Sequence, residues 1–247
     1  MSLPRQICAS PLLLLLLPLA ACSPQPQPTR QTTTLSPEAE QAKVHGEAVR
    51  AALEPIHAAM PSAGAAVLQP CPALDGKALN ISWGRLNHLI TGEALDPHGL
   101  DSADILPFND YEFQRPEHFR GEDLETADAD DLARVERAFA DLLEIRYVRV
   151  ARTGVYNPPL VDSNDSFTPG SLAGVLVVFD RQGTQICAVE AEVASKNEVS
   201  VQRRSETQSE DELRRAKQAA LLVDMTQRLA HALRAAARPG TDSSPAL

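Results

Sequence analysis

The sequence predicts an α+β fold: a small, mainly antiparallel sheet packed against helices, with a hairpin at 172–194 and a long C-terminal helix over about 209–237. Three stretches carry that expectation. Leu172 to Phe179, LAGVLVVF, is a near-continuous apolar run, the mark of a central strand. After the turn residues Asp180 to Gly183, the stretch TQICAVEAEVA alternates, with Cys187, Val189, Ala191 and Val193 on one face and Glu190 and Glu192 on the other. Ser209 and Glu212 have capping-box spacing, and Pro239-Gly240 is a stop. Between them Leu221, Leu222, Met225, Leu229 and Leu233 form an apolar face, opposite Lys217, Asp224, Arg228 and His231. Such a helix should lie across the sheet.

The earlier elements follow from the same rules. Ser36-Pro37 with Glu38 and Glu40 reads as a helix start: a capping hydroxyl, proline in the first turn and acids at the positive helix end. This helix is expected to run to about Leu53 and to meet trouble at Pro55. Its thin apolar row, Val44, Ala48, Ala52 and Ile56, suits a domain edge or a stalk. Between Asp123 and Leu143, Leu132, Val135, Phe139 and Leu142 fall at helical spacing behind Asp128, Asp130 and Asp131. Glu144 to Arg152 is rich in β-branched and aromatic residues and reads as a strand. Thr153 to Ser171 is then a connection of 19 residues rich in Gly, Pro, Asn and Ser. It is either a recognition surface built on Tyr156, Pro158, Pro159 and Phe167 or a plain strand connector. Residues 37–237 are expected to form a single domain and 238–247 a flexible tail, with no internal repeat.

The first residues address the chain. Residues 1–21 hold one charge, Arg5, then the run Leu12 to Leu17 and the small pair Ala20-Ala21, the layout of an export leader. The run is too short to span a bilayer, which needs about 20 apolar residues. Leu19-Ala20-Ala21-Cys22 resembles the lipobox of bacterial lipoproteins. That resemblance, confined to residues 1–22, implies cleavage before Cys22, a diacylglycerol thioether (and usually an amide-linked acyl chain such as palmitate) on it, and a lipid bilayer as partner. Ser23, rather than Asp, implies sorting to the outer membrane, with the domain facing the periplasm. Residues 22–36 would then be the lipidated cysteine and a Pro/Gln/Thr-rich tether, whose 14 residues after Cys22 reach roughly 40 Å if extended. Several chains on one residue give a firm anchor, since each buried methylene contributes about 0.8 kcal/mol.

Composition narrows the partners. The net charge is −10, and losing the leader's Arg5 takes the mature chain near −11. That balance opposes nucleic-acid binding, which needs a basic surface, and opposes lying flat on anionic lipid. Of the four cysteines, Cys8 leaves with the leader and Cys22 takes the lipid. Cys71 and Cys187 remain, in an oxidising compartment where a disulfide is the natural pairing; two buried free thiols are the alternative.

Chemistry is harder to find. No H-E-x-x-H, G-x-S-x-G, P-loop or CxxC pair is present, and the sequence nominates no cofactor, metal or catalytic residue. His45 and His57 are twelve apart, about 120° around a helix, too far to share a ligand. Asp96, His98, Asp101 and Asp104 form an acidic loop without metal-ligand spacing. Asp162, Asn164 and Ser166 begin like a calcium loop, but Phe167 and Ala173 stand where Gly and Glu are required. Glu190 and Glu192 read as the wet side of an alternating strand. Phe108, Tyr111, Phe113 and Phe119 gather four of the ten aromatics within twelve residues, amid charges, either interface chemistry or anchors pinning a long loop. The flanking charges Asp110, Glu112 and Arg115 favour exposure of Tyr111 and Phe113, with Phe108 and Phe119 as anchors. The sequence therefore points to a non-enzymatic envelope lipoprotein that binds or assembles envelope proteins. An anchored hydrolase, using for example Asp162 and His118 with a serine, and a surface-displayed binder remain alternatives.

Overall fold

The computed structural model describes residues 35–62, 65–92, 106–108, 124, 127–161, 167–196, 201 and 209–239. The chain divides into Met1–Thr34 and Leu35–Leu247, and every described residue lies in the second unit. The leader, Cys22, Tyr111, Phe113, Phe119, His118, the Asp96–Asp104 loop and Asp162 to Ser166 lie outside the described residues.

The order of elements is α1 (Pro37–Ala59), β1 (Ala78–Ser82), α2 (Trp83–Thr91), α3 (Ala129–Leu143), β2 (Tyr147–Asn157), β3 (Leu160–Val161), β4 (Phe167–Thr168), β5 (Ser171–Asp180), β6 (Gln185–Ala194) and α4 (Glu210–Ala236). The main sheet is four-stranded, in the order β1-β2-β5-β6. β1 runs parallel to β2, and the β2–β5 and β5–β6 pairings are antiparallel. The expected α+β class and mainly antiparallel sheet are what the chain forms.

β5 sets the layering. Val175, Val177 and Phe179 enter the core shared with α1, α2 and α3. Leu172, Leu176 and Val178 enter a second core with Met225, Leu229 and Leu233 of α4. The sheet is thus covered on both faces. Gly174 lets α4 come close: a Cβ there would stand 2.8 Å from Arg152 O and 3.0 Å from Leu229 Cδ2.

Capping chemistry fixes the helix starts. The Ser36 hydroxyl accepts from Ala39 N at 3.2 Å, and Asp128 Oδ1 accepts from Asp131 N at 2.8 Å. At α4 the box is complete, with Glu212 N donating to Ser209 Oγ and Ser209 N to Glu212 Oε2. On the polar side of α4, Asp224 is drawn half inside, held by Lys196 and Arg228.

Three expectations are corrected. α1 does not stop near Pro55 but runs to Ala59, because Leu53 and Ile56 are core residues on the face opposite the exposed proline. The turn residue Gly183, at φ +79°, fits against Pro55; a Cβ on it would lie 2.6 Å from Pro55 O. The buried row of α1 is Ala39, Ala42, Gly46, Val49, Leu53 and Ile56, while Val44 is 54% exposed. A strict i+4 row drifts about 40° per step around a helix, whereas alternating steps of three and four hold one stripe. Finally, Thr153 to Ser171 is not one long loop. β2 continues through a bulge between Thr153 and Tyr156, its end tied by Asn157 Nδ2 to Ser171 Oγ at 3.0 Å. Leu160–Val161 then pairs with Phe167–Thr168. Gly154 and the two prolines mark a bulge and a strand end.

Cys71 and Cys187 form a disulfide, with Cα atoms 5.0 Å apart at a sequence separation of 116. The segment before Cys71 lies along β6, where Gln69 and Ala188 exchange backbone hydrogen bonds of 2.9 and 3.3 Å. Beyond Cys71, the Tyr147 hydroxyl donates to Asp75 Oδ1 at 2.8 Å, which with Arg146 nearby holds that carboxyl below its ordinary pKa.

Two substitutions test this packing. Gly174→Val should force α4 off the sheet and destabilise by about 1–3 kcal/mol, read as a lower thermal midpoint. Replacing Cys71 and Cys187 together by alanine should remove about 4–5 kcal/mol in the chain-entropy model, read as a lower denaturant midpoint.

Candidate functional site

The two helical layers do not cover the sheet equally. α4 extends along β5 and β6 on one face. On the other, α2 is short, and the ends of β2, β5 and β6 run past it. Arg152, Val175 and Glu190 lie in one row across β2, β5 and β6. With neighbouring strands about 4.8 Å apart, Arg152 and Glu190 stand roughly 10 Å from each other across Val175. Val175 is the last buried residue of β5 on this face. Past it Ala173 is half-buried, Glu190, Glu192 and Ala194 are exposed, and Val155 on the bulge is 61% exposed. Among the described residues, no helix covers this half of the sheet face.

One wall of the bare half is built from three elements. Trp83, the only tryptophan, begins α2 at the end of β1. The His57 ring from α1 stacks on it, with centroids 4.9 Å apart and planes 12° from parallel. The Arg152 guanidinium from β2 lies 5.0 Å from the Trp83 ring centroid and donates to Pro61 O at 2.8 Å. His57 Nε2 is 2.9 Å from Asn87 Oδ1 of α2. Burial lowers the Arg152 pKa from its usual value, yet a guanidinium stays charged throughout the working range. All three rings and heads are half-buried. A tryptophan and an arginine, locked in place beside exposed sheet, are hot-spot residue types.

The expected site residues divide. Phe108 is fully buried in the α4-side core, with the Arg234 guanidinium 4.7 Å from its ring centroid and donating to Pro107 O at 3.3 Å. It is an anchor, which removes it from the exposed contact set. Tyr156 packs against the same core, and burial raises its hydroxyl pKa. The Phe167 backbone pairs with Val161 in the small hairpin. Glu190 and Glu192 sit on the exposed side of β6. Trp83, Arg152 and Val155 were not singled out as site residues from sequence. A lone tryptophan closing a Leu-x-Ile alternation was the available signal.

His45 Nδ1 meets Glu136 Oε1 at 2.8 Å across α1 and α3, while His57 faces Asn87, so the two histidines serve different partners. Among the described residues no three of His, Cys, Asp and Glu gather as a metal would require. An apolar cleft among Leu53, Ile56, Leu79, Leu142, Ile145 and Val148 encloses about 20 Å³, room for a single water. Among the described residues no helix is long and apolar enough to cross a membrane. No family model, curated protein or solved structure matches the chain.

Phe108→Ala should destabilise the domain by about 3–5 kcal/mol, as buried phenylalanine truncations do, read by denaturant titration. His57→Ala should leave stability nearly intact but shift the emission of the single tryptophan as its stacked face opens to water.

Proposed function

We propose that this chain is a lipid-anchored envelope protein without catalytic activity, held at the outer membrane and facing the periplasm, that binds or helps assemble envelope components. The observation that carries the reading is the coincidence of Cys22 with the end of an export leader, as Leu19-Ala20-Ala21-Cys22. A second cysteine pair that closes as a disulfide suits an oxidising compartment. The bare half-sheet, rimmed by Trp83 and Arg152 on one side and by Glu190 and Glu192 on the other, supplies the binding surface. The acidic balance keeps the domain off anionic headgroups, so the acyl chains do the holding.

Cys22→Ser tests the anchor. The variant should accumulate as uncleaved precursor or soluble protein and fail to incorporate labelled palmitate. Continued palmitate labelling and outer-membrane fractionation of the variant would overturn the reading.

A further inference from the structure

We propose that the free half of the β6 edge, Val189 to Ala194, takes up an extended segment of a partner protein by strand addition, and that this segment carries Lys or Arg at alternate positions. This partner chemistry rests on the binding reading above and specifies what the surface binds.

The backbone direction is fixed by the shielded half of the same edge. Ala188 exchanges both of its hydrogen bonds with Gln69, at 2.9 and 3.3 Å, so its N–H and C=O point away from β5. In an antiparallel pairing that orientation repeats at every second residue. Glu190, Glu192 and Ala194 therefore direct their backbone groups outward. Among the described residues those groups have no hydrogen-bond partner, and all three residues are exposed. Val67 to Gln69 covers the edge only as far as Ala188: Gln185 Nε2 donates to Val67 O at 2.8 Å, and Gln69 Nε2 to Ile186 O at 2.6 Å. An edge left open in this way is a template for an added strand.

The side chains choose the strand. Glu190 and Glu192 stand on the bare face, and the nearest cation along the chain, Lys196, is already engaged by Asp224. A strand paired at this edge places every second side chain about 5 Å from those acids, where opposite charge is favoured and like charge is not. Its other face would lie beside Val189, Ala191 and Val193, which pack against the α4-side core, and β-branched residues suit that side. A second copy of this chain would set acid against acid, so a foreign basic segment is the occupant.

The test uses the full chain in detergent micelles and a short synthetic peptide alternating lysine and valine. The peptide should bind saturably and slow amide exchange at Glu190 and Glu192, while the Val189 and Ala191 amides, already bonded to β5, stay unchanged. Glu190→Gln with Glu192→Gln should weaken binding about tenfold. Glu192→Pro, which deletes an outward N–H and leaves the ladder to β5 intact, should abolish it. A peptide with glutamate in place of lysine should not bind. The inference is overturned by unchanged exchange at Glu190 and Glu192 under saturating peptide, by equal binding of the glutamate peptide, by no binding, or by a dimer of the chain paired edge to edge. The exchange readout uses the unsubstituted chain, so it decides the matter even where the proline variant fails to fold. Binding that depends on Trp83 and Arg152 instead would overturn strand addition and leave the binding reading standing. Palmitate labelling, unaffected by any of these changes, separates both from the anchor.

Discussion

The fold depends on β5 being apolar on both faces. Val175, Val177 and Phe179 need cover on one side, and Leu172, Leu176 and Val178 on the other. Such a strand is disfavoured as an edge or with a face to water, so it sits between two strands and two helical layers. β2 and β6 then flank it, α4 lies over the Gly174 side, and α1 to α3 close the opposite face. On one face α4, at 27 residues, runs for about 40 Å along the strands; on the other, α1 and α3 pack chiefly on each other, and the helix beside Arg152 is α2, whose 9 residues span about 14 Å. The strands continue past the shorter layer, and their last residues turn from valine to glutamate, alanine and serine.

The edge of the sheet repeats that division. Natural edges are shielded or charged to stop unwanted pairing. On β6 both devices occur, one on each half. The lower half is shielded by Val67 to Gln69, which the Cys71–Cys187 bond holds in place from a position 116 residues away in sequence. The upper half carries Glu190 and Glu192. The boundary between them, at Ala188, coincides with the place where the helical layer on that face ends. Shielded edge and covered face belong together, as do open edge and bare face.

What was legible in the sequence was local. The β5–β6 hairpin, α3 and α4 announce themselves through alternation, helical spacing and caps confined to a few consecutive residues. The disulfide was legible by subtraction, because the lipobox reading assigns Cys8 and Cys22 other fates. β1 was missed because five residues paired in parallel to a strand 69 positions later leave only Leu79 and Ile81 as a signal. α1 was cut short because Pro55 argues against a helix locally, while burial of Ile56, a tertiary effect, carries the helix on. The Trp83 wall was invisible for a related reason. His57, Trp83 and Arg152 come from three elements with no common spacing, and they meet only because β1 pairs with β2 beneath the end of α1. The bare face is a property of relative lengths, which no single segment encodes.

Charge links the surface to the anchor. On the anchored reading the tether after Cys22 reaches roughly 40 Å, several times the Debye length of about 8 Å at physiological ionic strength. The domain can therefore stand beyond the field of the headgroups. On that reading Glu190 and Glu192 would escape repulsion by the membrane. A net charge of −10 discourages self-association and steers cationic segments inward. On the strand-addition proposal, the same acids that would make this domain a poor membrane binder would make its open edge selective, since an added strand would have to bring the opposite charge at every second position. On these two proposals, anchoring by lipid and recognition by an acidic edge would be complementary: the first would remove any need for a basic face, and the second would be weakened by one.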